Sequence, residues 1–242
     1  MVNAIKEEFQ KLSSKTRADH SSRFFKTGKG EYSYKDKFIG VRTPDIYKIA
    51  NKYKKDITIS DILYFLQSEI HNYRFLALDF LKYRYNKGNR TEKKEIVKLY
   101  LDNIRYVNNW DLVDISAPHI LGDYLLDKDR KILYELVKKD YLWSNRIAII
   151  STFAFIRNNE YDDTLRIAKL LLNHEHDLIH KAVGWMLREI WKRDSKTAEE
   201  FIKNNYEKMP RTTLRYAIEK MEEKKRKTFL KGEFNYFPLI VV

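Results

Sequence analysis

Three short segments of the chain carry side chains whose types and spacing could do chemistry. The first is Asn109-Trp110-Asp111-Leu112-Val113-Asp114, a polar turn running into a helix. Trp110 and Asp114 stand four residues apart and so share one helical face. A carboxylate beside an indole suits a cationic, sugar-like transition state: the carboxylate supplies opposite charge, and the ring supplies shape and excludes water. The structural alternative is that Asp111 or Asp114 caps backbone N–H groups and Trp110 lies in the core. The second segment runs from Lys181 through Gly184, Trp185 and Arg188 to Trp191. Gly184 sits inside a helical pattern at a propensity cost of roughly 0.8–1 kcal/mol relative to Ala. Close approach of another helix, or of a ligand backbone, would explain it. Trp185 and Arg188 can rest together against deoxyribose and phosphate, or Arg188 can pair with a carboxylate on the next helix. In the third, Trp143-Ser144-Asn145-Arg146-Ile147-Ala148-Ile149, Arg146 opens an apolar helix. It can project from an inner rim and clamp phosphate with two N–H donors, or form an interhelix salt bridge.

Other chemistries are missing. The chain has no cysteine, which removes disulfides, thiolate catalysis and cysteine-rich metal sites. His176 and His180 are four apart, but HEHDLIH lacks the HExxH order and no third ligand accompanies them, so no metal is expected. GKGEY is not a phosphate loop, and neither a GxSxG elbow nor a strong helix-turn-helix signal occurs. A basic groove could still bind a nucleic-acid backbone without reading bases.

The elements that must position these residues are helices. Trp143, Ile147, Ile150 and Ala154 form one stripe, and Leu178, Ala182, Met186 and Ile190 another. Ile62, Phe65 and Leu66 precede a run of Phe75, Leu78 and Leu81. No series of alternating strands appears. Thr43 with Pro44, Ser60, and Thr91 before Glu92 read as helix starts; Lys87-Gly88-Asn89, Asn158-Asn159 and Asn204-Asn205 read as stops. The spans expected are 1–12, 15–26, 43–54, 60–68, 71–86, 91–105, 110–125, 129–139, 143–157, 161–173, 177–192, 195–204 and 210–227. Short connections make successive helices antiparallel neighbours, and a pair recurring every 30 to 40 residues or so is the period of an α-solenoid. A single globular bundle is the competing arrangement.

Lys and Arg total 47 against 34 Asp and Glu, a net charge of +13 over 242 residues, which favours an anionic partner, nucleic acid first. Solubility is the plainer reading of the same charge. Residues 26–37, KTGKGEYSYKDK, look like an exposed basic loop that touches phosphates or merely connects. The basic run Lys224-Lys225-Arg226-Lys227 reads as a nucleic-acid contact or a solvated helix end. The apolar FNYFPLIVV at 234–242 is expected to pack back on a helix. The first residues do not read as a secretory signal, and no apolar stretch reaches the roughly 20 residues that span a membrane. A cytoplasmic protein is the expectation.

Together these segments resemble the DNA alkylation repair family of helical-repeat DNA glycosylases, from about Phe24 to Glu219. The marks are Phe38-Ile39-Gly40-Val41-Arg42 with Pro44, NWDLVD at 109–114, WSNRIAI at 143–149, KAVGWMLRE at 181–189 and RTTLRYAIEK at 211–220. The order of NWDLVD and KAVGWMLRE is the specific part. The resemblance implies an all-α, HEAT-like solenoid of about six antiparallel helix pairs with a concave basic face, spanning 1–242 as one domain. It implies excision of cationic N3- and N7-alkylated purines from duplex DNA by a monomer, without cofactor or obligate protein partner. By position in the motifs, Asp114, Trp110 and Trp185 would form the catalytic cleft, with Arg146, Arg188, Lys181 and Phe24 toward the DNA. The aromatic pair would hold the deoxyribose and the carboxylate would serve the chemical step. Phe24 stands where relatives commonly carry a tyrosine, and the 26–37 loop is longer than in compact members. A non-catalytic DNA-binding repeat protein and a protein-interaction scaffold are the alternative functions.

Overall fold

The apolar stripes become buried helix faces in the computed structural model, which describes residues 1–234. Ile62, Phe65, Leu66, Phe75, Leu78, Leu81, Trp143, Ile147, Ile150, Ala154, Ala182, Met186 and Ile190 are all buried. Among the described residues there is no strand; one isolated bridge pairs Lys37 with Ile70. No helix among them is long and apolar enough to cross a membrane. The chain divides into two compact units, Met1–Tyr124 and Leu125–Val242.

In the first unit, α1 (Val2–Leu12), α2 (Lys15–Phe24), α3 (Thr43–Tyr53), α4 (Ile59–Leu66), α5 (His71–Lys87), α6 (Arg90–Asp102) and α7 (Trp110–Ser116) follow in order. The centre is α5, against which α3, α4, α6 and α7 pack. It is buried on nearly every side, so its apolar residues do not form a single stripe. The same burial takes in His71, Asn72 and Arg74 at its start. In the second unit, α8 (Lys131–Val137), α9 (Leu142–Ser151), α10 (Phe153–Arg157), α11 (Asp162–Leu171), α12 (Asp177–Trp191), α13 (Ser195–Asn205), α14 (Arg211–Ala217) and α15 (Glu223–Lys231) follow, with α12 at the centre.

Gly184 explains how closely α12 and α14 pack. A Cβ there would lie 2.5 Å from both the Thr213 carbonyl oxygen and Tyr216 Cβ, so the neighbour that required glycine is a helix. Gly40 has φ +70°, and a Cβ on it would meet the Ser14 carbonyl at 2.2 Å, where the chain passes the start of α2.

Three expected helices are broken. The 110–125 span stops at Ser116 and continues as a π-helical turn, Pro118–Gly122, in which the Gly122 N–H donates to the Ala117 carbonyl at 2.9 Å. Pro118 has no N–H to give, and its ring crowds the preceding turn. The 143–157 span breaks at Thr152, whose hydroxyl donates to the Ile149 carbonyl at 2.7 Å and competes with the helical ladder. The 210–227 span divides between Ala217 and Glu223. Helix starts also shift: Thr58 rather than Ser60 caps α4, in a reciprocal box with Asp61, and Asn89 rather than Thr91 caps α6 with Glu92.

The 26–37 segment is not simply an exposed loop. Lys26, Lys29, Lys35 and Lys37 face outward, but Ser33 is buried and only 5% of the Asp36 side chain is exposed. The far end of the segment docks on α5, the Lys37 N–H donating to the Glu69 carbonyl and the His71 N–H to the Lys37 carbonyl. In the basic run, Arg226 and Lys227 both pair with Glu223 and Lys225 pairs with Glu199, as in a solvated helix end. Phe234 packs edge-on against Tyr206 and Phe229; the remainder of the apolar tail, 235–242, lies outside the described residues.

Candidate active site

The residues with chemical potential in the first unit are set by the first turn of α7. Asn109, fully buried, is its cap: its Oδ1 accepts from the Trp110 N–H at 2.8 Å. Its Nδ2 donates to Ser33 Oγ at 2.6 Å and to Asp36 Oδ2 at 3.3 Å, tying the 26–37 segment to the helix start. With the turn fixed, Trp110 and Asp114 follow on one face, both half-buried. Trp110 stacks on Phe25, with centroids 5.3 Å apart and planes 21° from parallel. Phe24, 58% exposed at the end of α2, meets the same indole edge-on at 6.0 Å. The sequence-predicted pair and Phe24 are therefore brought together.

Asp111 is not the helix cap. One oxygen accepts from the adjacent Leu112 N–H and the other lies 2.8 Å from His71 Nε2. His71 is buried, stacked on Phe38 at 4.6 Å and tilted against Phe25 at 5.0 Å. Arg74 pairs with Asp36 at 2.8 Å beside it, and Asp36 stands 3.6 Å from His71 Nδ1. Burial, with Asp114 and Asp36 adding negative charge, pushes the Asp111 carboxyl up to about 8. Burial and the Arg74 charge hold His71 well below its ordinary value of 6.5. The arrangement is a proton-bearing carboxyl against a neutral imidazole, with Asp114 as the second acid of the helix.

In the second unit, α12 carries the other predicted residues. Trp185 is half-buried; its indole N–H donates to Glu189 Oε1 at 3.3 Å and its ring meets Phe153 at 5.8 Å. Burial alone would raise Glu189, but hydrogen bonds from Lys192, Arg193 and Trp185 and the charge of Lys192 pull it below its usual value. Arg188 pairs with Glu219, a carboxylate in the turn after α14 rather than on the next helix, and its side chain stays 17% exposed. Lys181, more open, pairs with Asp177 one turn back at 2.8 Å.

Arg146 requires a correction. Expected to project, it is 4% exposed, and its Nη1 donates to the Leu178 carbonyl at 2.6 Å, tying α9 to the start of α12. Trp143 through Ser151 of α9 are all buried, and Arg146 lies among them.

Sequence reasoning missed Ser33, Asp36, His71 and Arg74, as well as the rings of Phe25 and Phe38. The available signal was His71, Asn72 and Arg74 at the start of α5, just ahead of the apolar run Phe75, Leu76, Leu78, Phe80 and Leu81. Among the described residues, no group of three or more His, Asp or Glu could hold a metal ion.

The family model described as DNA alkylation repair enzyme matches residues 5–221. No curated protein matches the chain. Among solved structures, a predicted DNA alkylation repair enzyme from Enterococcus faecalis is similar over 88% of this chain and 98% of that one, at a TM-score of 0.70 and 16% identity. That likeness bears on the fold, which is all-helical and of the helical-repeat type. The match over residues 5–221 shows that the chain belongs to the DNA alkylation repair enzyme family.

Proposed function

We propose that the protein is a DNA glycosylase that removes cationic N3- and N7-alkylated purines from duplex DNA, with Asp114 as the catalytic carboxylate. The observation that carries this reading is the first turn of α7. Its cap, its ring stack and its buried Asp111–His71 pair hold Trp110 and Asp114 on one face, both still partly open.

The chemistry follows from charge. An alkylated purine leaves with the electron pair of its bond to C1′, which cancels its positive charge. The deoxyribose becomes the cation, and the Asp114 carboxylate is worth more against that charge than against the ground state, the condition for rate acceleration. Water then adds at C1′ and gives its proton to Asp114, which returns it to solvent. Trp110 is the ring proposed to hold the sugar, with Phe24 extending the surface beside it; Trp185, in the second unit, is proposed to face the DNA. Arg188 and Lys181, partly exposed, are proposed to face the phosphate backbone. Because the lesion is already an activated leaving group, the chemistry needs no metal or cofactor. Duplex DNA is the proposed partner and a monomer the proposed acting form.

The test is base release from methylated duplex DNA by the purified protein. Free 7-methylguanine and 3-methyladenine are the expected products. Tight duplex binding with no release would instead make the protein a non-catalytic binder, and absence of binding even at low salt would favour a scaffold.

A further inference from the structure

Where the start of α5 meets the first turn of α7 lies a buried set of charged and polar side chains. His71, Asp36 and Arg74 are nearly fully buried, with side-chain exposures of 4%, 5% and 3%, and Asp111 retains 16%. Apolar residues of similar volume would commonly stabilise such a place as well or better. The buried set therefore points to something that depends on placement.

Two routes lead from His71 to Trp110. The polar route runs from His71 Nε2 to Asp111 Oδ2 at 2.8 Å, while Asp111 Oδ1 holds the Leu112 N–H at 2.8 Å, inside the turn that begins with Trp110. The aromatic route runs from the imidazole to Phe25, 5.0 Å away, and Phe25 stacks on the indole at 5.3 Å. Phe38, stacked on both Phe25 and His71, closes the column from behind. On the far side Asp36 is held by Arg74 and by Asn108 and Asn109, so His71 has little room to move.

We propose that His71 is a positioning residue of the site: through Asp111 and Phe25 it sets the orientation of the Trp110 indole, and with it the geometry of the Trp110–Asp114 pair. Its effect on rate rests on the glycosylase reading above; its effect on Trp110 does not.

The experiment uses the full chain. His71→Phe keeps a ring in the column and removes the link to Asp111. His71→Gln carries an amide group near the place of Nε2, able to donate or accept toward Asp111, and restores the link. In a proton–nitrogen correlation spectrum, His71→Phe should shift the indole N–H of Trp110 and leave those of Trp143, Trp185 and Trp191 in place. Single-turnover release of 7-methylguanine should slow about tenfold, the scale of a small misplacement of reacting groups. Duplex affinity should stay within about twofold, since the changed step follows binding. His71→Gln should recover most of the rate and the wild-type indole position. An unshifted Trp110 signal overturns the proposal, as does a shifted signal with unchanged release in an active enzyme. If His71→Phe does not fold, Asp111→Leu removes the carboxyl partner instead; it too should shift the Trp110 signal and slow release, and failure of either overturns the proposal. If the wild-type protein releases no base, the glycosylase reading fails by itself, and the indole signal alone decides whether His71 positions Trp110.

Discussion

Asp111 and His71 hold one proton between them in the fold, and this makes stability depend on pH in a particular way. Unfolded, the carboxyl ionises near 3.8 and the imidazole near 6.5; folded, Asp111 is raised to about 8 and His71 is lowered. Between those two unfolded values each state binds one proton, on His71 when unfolded and on Asp111 when folded, and stability is flat. From about pH 6.5 to 8 the folded state keeps a proton the unfolded chain has lost, so stability falls as pH rises, by about 2 kcal/mol at most. Below about 4 the unfolded chain takes up the second proton and stability falls again. Urea titrations at pH 6 and pH 8 should show the alkaline loss in the wild type and its absence in Asp111→Asn, which cannot ionise. Arg146 belongs at this scale too. With its guanidinium buried on the Leu178 carbonyl, Arg146→Ala should cost about 2–4 kcal/mol in urea unfolding, because a cavity and an abandoned carbonyl add. The sequence made Trp110 and Asp114 legible because helical spacing is local. It could not reveal that Asp111 meets His71, forty residues earlier in the chain, nor that Ser33 and Asp36 would reach Asn109.

At the scale of elements, apolar periodicity located most helices because each must bury a face, whatever its neighbours. Their interruptions were less legible. The break at Thr152 depends on a hydroxyl choosing a local carbonyl, and the π-turn at Pro118 depends on how the ladder re-forms around a missing N–H. The choice of Thr58 over Ser60 as a cap is likewise made by the reach to Asp61. Gly184 is the opposite case: one residue in a helical pattern announced a close approach, and α14 supplies it. Gly184→Ala would drive a methyl to 2.5 Å from the Thr213 carbonyl and Tyr216 Cβ, so α12 and α14 must separate. The expected cost is about 1–3 kcal/mol, despite the better helix propensity of alanine. Thermal unfolding followed by circular dichroism reads it, and an unchanged or raised midpoint would contradict the packing described.

For the molecule as a whole, the excess of 13 positive charges predicts sequence-independent duplex binding driven by counterion release. Affinity should fall steeply between about 50 and 200 mM salt, and a flat dependence would remove phosphate contacts from the account. The family was legible from NWDLVD and KAVGWMLRE taken in order, since these preserve spacing within α7 and α12. The chemical role of the site turns on one oxygen pair. Single-turnover release of 7-methylguanine, with enzyme saturating, separates that step from binding. Asp114→Asn should fold, keep its duplex affinity and release base about 10²-fold or more slowly than wild type, the usual scale for a positioned acid–base group. Asp111→Asn, which resembles the protonated carboxyl already present at neutral pH, should release base at close to the wild-type rate. Near-wild-type release by folded Asp114→Asn would contradict the account.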